Sequence, residues 1–300
     1  MADTSSDKIR TVLIGTDLDR DSDALLSTGV QVARAAGAKV HVAYAFAPPI
    51  GYVSELGAGV DDAVLAQEME LTREAVSAQV RQAGISAEEL AGETLRTGVP
   101  HRVLPELAQE TGAGLVIVGA TGGGRLHRRL GSTADRVLRR TTRPVLVVRG
   151  ALPVPPRRVL APVDLSPLSA EAFRHGLAIL SQLGGGTEIE ALFVLSVIQR
   201  QVAPQFTPQQ VDRFAVEELD RFVEKHAGSA AGQVRRKVRP GNTREEIFAE
   251  IADFQPDVVL LGTHGLGGFD RLVIGSVAAD VAREAPCSVL VVPPVAMREA

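Results

Sequence analysis

The sequence predicts an α/β protein built from two tandem doubly wound domains, each a five-stranded parallel sheet with helices on both faces. Three observations carry this. First, the chain repeats itself: residues 119–148, GATGGGRLHRRLGSTADRVLRRTTRPVLVV, return at 262–292 as GTHGLGGFDRLVIGSVAADVAREAPCSVLVV, with one residue fewer in the first copy. Second, short apolar runs alternate with segments of helical period, which requires parallel strand pairing through right-handed crossovers. Third, two copies of about 150 residues fill the length, and each is the size of a domain able to bury its own core. The domains are therefore placed at 1–150 and 151–300. They join at Gly150-Ala-Leu-Pro-Val-Pro-Pro156, where three prolines and a glycine favour a short, stiff, extended linker.

In the first copy, Val12–Gly15 is a continuous apolar run, as expected for a strand buried on both faces of a parallel sheet. Leu25, Leu26, Val30 and Ala33 then recur at helical spacing. Lys39–Phe46 reads as strand two, followed by a Pro/Gly-rich loop and a helix over Asp61–Ala83 whose buried stripe is Leu65, Met69, Val76 and Val80. Strand three is expected near Thr94–Thr97, a helix over Pro100–Thr111, and strand four at Leu115–Val118. A glycine loop, a helix over Ser132–Arg140 and strand five at Val145–Val148 complete the unit. The second copy follows the same plan and ends at Ser288–Val292. Thr11-Val-Leu-Ile-Gly-Thr-Asp17 answers Arg158-Val-Leu-Ala-Pro-Val-Asp164, and Arg96-Thr-Gly98 answers Arg239-Pro-Gly241. Ligands of open parallel sheets bind beyond the carboxyl ends of the strands, where the order reverses. Asp17, Asp164 and both glycine loops follow strands one and four and converge there.

Composition sets the context. Apolar residues make up 45% and charged residues 23%, with a mean hydropathy of +0.11, which suits a globular protein. Apolar runs such as Val258–Leu261 are far shorter than the ~20 residues of a membrane-spanning helix. Met1 to Arg10 is polar and does not read as a signal peptide. One cysteine cannot form an internal disulfide, so a cytoplasmic setting is expected. A net charge of −4 and 4% aromatics argue against nucleic-acid binding, which needs a basic stripe or stacking platforms.

The glycine loop of the second copy reads Gly262-x-x-Gly265, nine residues, then Gly275-Ser276. Glycine brings the backbone close to a ligand without a Cβ in the way. At a helix start, unpaired amides and the positive end of the dipole point outward, and the Ser276 hydroxyl adds a donor. A polyphosphate fits such a place. The alternative is a plain turn with Ser276 as a helix cap. Asp17 and Asp164 likewise read either as ligand groups or as turn residues bonding the adjacent backbone. Cys287 reads as a small buried hydrophobe. No Walker lysine, G-x-S-x-G or G-x-G-x-x-G motif is present.

G-x-x-G-x9-G-[ST] after strand four, V-D-x-S after strand one and a closing V-L-V-V strand make the chain resemble the universal stress protein family, as a tandem member of its ATP-binding branch. The resemblance implies the adenine nucleotide alpha hydrolase-like fold, ATP in the cleft with or without Mg2+, and a role in stress survival. Carried over to this sequence, Asp164 and Gly262 hold the ribose and Val194 meets the adenine through its backbone. Gly265, Gly275, Ser276 and Val277 hold the phosphates, and Pro162 stands in the strand-one turn. The first copy keeps Asp17, Gly119, Gly122, Gly131 and Ser132. It departs in an eight-residue spacer, Gly15 for the proline, Ala45 at the adenine position, and Arg125, Arg128 and Arg129 in the loop. A shortened loop is expected to displace its amides from the helix start. In similar proteins two domains join through strand five. The two halves are thus expected to pair about a pseudo-twofold axis, with a homodimer and an unnamed protein partner as further expectations.

Three functions stay open on the residues: a nucleotide-gated binding module, a slow phosphohydrolase or nucleotidyl transferase, and a scaffold without nucleotide. Asp270 is the one acid placed to serve the enzyme reading, and His264 the one histidine placed to touch phosphate.

Overall fold

The computed structural model describes residues 8–47, 62–120, 130–196, 206–263 and 274–294. Its strands β1 to β10 are Thr11–Thr16, Lys39–Phe46, Leu90–Thr97, Leu115–Gly119, Val145–Val148, Arg158–Val163, Glu188–Ser196, Val234–Gly241, Val258–Gly262 and Ser288–Val292. They form one ten-stranded sheet in the order β3-β2-β1-β4-β5-β10-β9-β6-β7-β8. Each half contributes five parallel strands, and the halves meet where β5 and β10 pair antiparallel. Along β1 the side chains alternate between two cores: Val12 and Ile14 join one cluster and Leu13 the other, as the period of two in a strand requires. Both clusters run through both halves, so each face of the sheet carries one continuous apolar layer.

Helices α1 (Arg20–Ala36), α2 (Asp62–Gln82), α5 (Pro167–Gln182) and α6 (Pro208–His226) cover one face. The other is covered by α3 (Pro100–Glu110), α4 (Ser132–Leu138), α7 (Thr243–Phe254) and α8 (Ser276–Glu284). Mid-helix Gly29 and Gly176 occupy equivalent positions in the two copies. A Cβ there would come within 2.4 Å of Ile14 and 2.3 Å of Leu260, so glycine lets each helix lie close on its sheet. The linker residue Leu152 is buried in the core, and Thr187 Oγ1 donates to the Pro156 carbonyl at 2.8 Å.

Three expectations need correction. In α2, Val76 and Val80 are buried but Leu65 and Met69 are only partly so. A helix of 21 residues spans about 31 Å and outruns the eight-residue β2 and β3, about 26 Å long, beneath it. Strand β3 begins at Leu90, not near Thr94. Its first residues, Leu-Ala-Gly-Glu, have little strand propensity and are ordered by pairing with β2. Helix α4 stops at Leu138, two residues short of Arg140.

The outer strands β3 and β8 end the sheet. Strand β8 carries Arg235, Arg236, Lys237, Arg239 and Pro240, charges and a proline that discourage pairing with another chain.

Candidate nucleotide cleft

The reversal of strand order falls between β6 and β9 in the second half and between β1 and β4 in the first. Asp164 leaves β6 and Gly262 closes β9, so both stand at the reversal.

Each Asp is fixed by a turn built from side chains. Asp164 Oδ1 accepts from Ser166 N at 3.0 Å, and Asp164 N donates to Ser169 Oγ at 3.3 Å. Asp17 Oδ1 accepts from Asp19 N at 3.2 Å and from Ser22 Oγ, while Asp17 N donates to Ser22 Oγ at 3.4 Å. Between them Leu18 (φ 61°) and Leu165 (φ 64°) adopt the left-handed conformation, which costs a non-glycine residue roughly 1–2 kcal/mol. The turn bonds hold that strain in place, and strain so held marks sites where geometry matters. The turn reading of Asp17 and Asp164 is therefore correct, and it orients each carboxylate rather than excluding a ligand role. Sequence reasoning passed over Ser22 and Ser169, although Asp-x-x-x-x-Ser recurs at the same place in both copies.

The two halves brace these turns differently. Ser166 Oγ caps α5 by accepting from Ser169 N at 3.2 Å, ahead of Pro167. In the first half Asp19 makes no such cap bond. Thr16 Oγ1 donates instead to Gln79 Oε1 at 2.7 Å, and Gln79 Nε2 donates to Asp23 Oδ1 at 2.8 Å, tying the turn to α2.

Strand β7 runs past its neighbour. The β6–β7 register ends at Val163↔Phe193, whereas β7 continues against β8 through Val194↔Arg239, Leu195↔Pro240 and Ser196↔Gly241. On the β6 side Val194 and Leu195 have no register partner among the described residues. Ala45 stands likewise, beyond Thr16↔Tyr44.

The glycine loops are closed by matching bonds. Thr263 N donates to Val292 O at 3.2 Å, Gly275 N to Thr263 O at 2.7 Å and Ala279 N to Gly275 O at 2.8 Å. In the first half Ala120 N donates to Val148 O at 2.9 Å, Gly131 N to Ala120 O at 2.7 Å and Asp135 N to Gly131 O at 3.1 Å. The Gly275 amide is thus engaged, correcting the expectation that it is bare. The amides that the helix itself cannot pair are those of Ser276, Val277 and Ala278. The missing residue of the first spacer does not disturb this anchoring either, because both helix starts hang on the same bond. Gly122, Arg125, Arg128, Arg129, His264, Gly265 and Asp270 lie outside the described residues.

The helix starts differ in charge and length. Helix α8 has nine residues and no acid in its first turn, whereas α4 has seven and carries Asp135 there. Burial opposes ionisation of Asp135, but hydrogen bonds from Arg139 and Arg283 outweigh it and hold the carboxyl below its usual range. The Arg283 carbonyl also accepts from Leu130 N at 3.1 Å, so the second half grips the start of α4. Ala279 occupies the Asp135 position in α8.

Arg239 forks onto Glu246 (2.7 Å), Glu250 (2.6 Å) and Asp253 (3.0 Å), and Arg96 holds Glu110 through both terminal nitrogens. These pairs bind the third strand of each half to the next helix, which explains the arginine of the recurrent Arg-x-Gly. Among the described residues no group of three or more His, Cys, Asp or Glu is placed to hold a metal, and no helix is long and apolar enough to cross a membrane.

The family model described as the universal stress protein family matches residues 8–149 and 156–293. A universal stress protein of Mycolicibacterium smegmatis is 28% identical over 302 residues, covering 94% of this chain and 97% of the relative. The universal stress protein Rv2005c of Mycobacterium tuberculosis is 28% identical over 298 residues, covering 93% and 96%. Among solved structures, a universal stress protein from Archaeoglobus fulgidus shares the fold with a TM-score of 0.64 at 18% identity, over 96% of this chain and 99% of that one.

Proposed function

The chain belongs to the universal stress protein family, and from that premise we propose that it is a nucleotide-binding module of the stress response whose site for ATP lies in its second half. One observation carries the choice of site. Gly275 caps α8 with φ −55°, a conformation open to any residue, and among the described residues a Cβ there would meet Thr263 O alone, at an ordinary 3.6 Å. Nothing among the described residues requires glycine at that position. Keeping the ground before the Ser276 and Val277 amides clear for a ligand does.

In this reading Ser276 and Val277 hold phosphate oxygens through their amides, and Ser276 adds its hydroxyl. Asp164, oriented by Ser166 and Ser169, takes the ribose hydroxyls, with Gly262 and Pro162 shaping the floor. The backbone of Val194, one residue beyond the last β6 register pair, takes the adenine edge. Gly265 joins the phosphate set by resemblance alone. Any Mg2+ travels with the nucleotide, held by phosphate and water. The first half, with Asp17, Gly119, Gly122, Gly131 and Ser132, is the weaker candidate, because Asp135 brings negative charge to the first turn of a shorter helix. Domains at 1–150 and 151–300, a homodimer and a cytoplasmic location complete the proposal.

Calorimetric titration of ATP tests it. Gly275→Val should lower affinity at least tenfold without loss of fold, while Gly131→Val should leave the tighter site unchanged. Wild-type protein that releases no heat with ATP overturns the reading.

A further inference from the structure

A second chemical feature lies away from the cleft, under α7. Glu190 on β7 is 2% exposed and faces Glu250 of α7, itself 4% exposed. Glu190 Oε1 has no hydrogen-bond partner among the described residues. The nearest cation on β8, Arg235, lies 3.6 Å from Oε2, too far for a hydrogen bond, and is held by Glu188 at 2.6 Å. Lys237, also on β8, acts on Glu190 only through its field. From β6 the register partner is the apolar Leu160. Glu250 is bound by Arg239 at 2.6 Å, and that arginine also holds Glu246 and Asp253.

Two adjoining buried carboxylates cannot both ionise cheaply, and a hydrogen bond between them exists only when one bears a proton. Arg239 is hydrogen-bonded to Glu250 at 2.6 Å, whereas no cation comes within hydrogen-bond distance of Glu190 among the described residues, which places the proton on Glu190. We infer that Glu190 and Glu250 share one proton, and that losing it to solvent as pH rises loosens α7 from the second half of the sheet. Burial first, then the hydrogen bond to Glu250 and its charge, raise the Glu190 carboxyl to about 7. Because the folded value is raised, the stabilisation is complete below the ordinary carboxylate range and is lost as pH rises through about 7. The first copy has His41 at the equivalent position, hydrogen-bonded to Thr94 Oγ1 at 2.8 Å, with Leu107 where Glu250 stands. The device therefore belongs to the second half and does not depend on a nucleotide.

Hydrogen exchange read by mass spectrometry on the full-length chain tests it, with residues 100–110 as the internal reference for 243–254. From pH 6 to pH 8, protection of 243–254 relative to the reference should fall about tenfold in the wild type, as expected for one proton lost across about 7. In Glu190→Gln, whose amide can donate to Glu250 at any pH, that fall should vanish. A wild-type ratio constant over this range overturns the inference even if Glu190→Gln does not fold, and so does a fall that persists in the variant.

Discussion

Leu146 and Leu290 face each other across the antiparallel junction of the sheet, and they are the same residue of the two copies. Val145↔Val291 and Val147↔Val289 flank them symmetrically, so a local twofold axis passes through the leucine pair. Two apolar strands that would each end a five-stranded sheet thereby cover one another within one chain.

Removing either leucine should weaken that joint. Leu290 is 2% exposed, and Leu290→Ala is expected to cost about 2–5 kcal/mol. Chemical denaturation of Leu146→Ala, Leu290→Ala and the double variant should show non-additivity of about 0.5 kcal/mol or more, because facing residues share one space. Strict additivity would show that the pair is not coupled.

Ser169 should matter to both fold and binding. Ser169→Ala removes the acceptor of Asp164 N and should cost about 1 kcal/mol. It should also weaken ATP binding by several-fold, because the carboxylate loses its bearing. Thermal denaturation with and without ATP separates the two effects, and an unchanged ATP-induced shift would detach Ser169 from the site.

Cys287 precedes β10 and is partly buried, where the sequence reads as placing a small buried hydrophobe. Burial pushes its thiol up to about 11 from 9.0, which lowers the thiolate fraction at neutral pH about a hundredfold. Native protein should react with iodoacetamide about a hundredfold more slowly than urea-unfolded protein at the same pH. Equal rates would contradict the burial.

Burial lowers the pKa of His41. A histidine with a lowered folded value stabilises the fold at pH above its unfolded value, about 6.5, and that contribution is lost as pH falls below it. Denaturation midpoints between pH 7 and pH 5 should therefore drop more in the wild type than in His41→Gln. This trend runs opposite to that of Glu190, which makes the two halves sensitive to opposite sides of neutrality.

Read alone, the amino-acid order discloses the repeat, the alternation of elements, the fold class and the stretches proposed to carry the site. Each of these rests on local pattern: apolar runs, helical spacing, and glycines at fixed offsets from Asp164 and Ser276. Tertiary structure decided what depends on residues far apart in the chain. It showed that the Gly275 amide is engaged by Thr263, that Arg283 reaches Asp135 across the junction, and that Glu190 lies buried against Glu250. Hydrogen bonding and desolvation act through space between partners 12, 148 and 60 positions apart, and no sequence period records such distances.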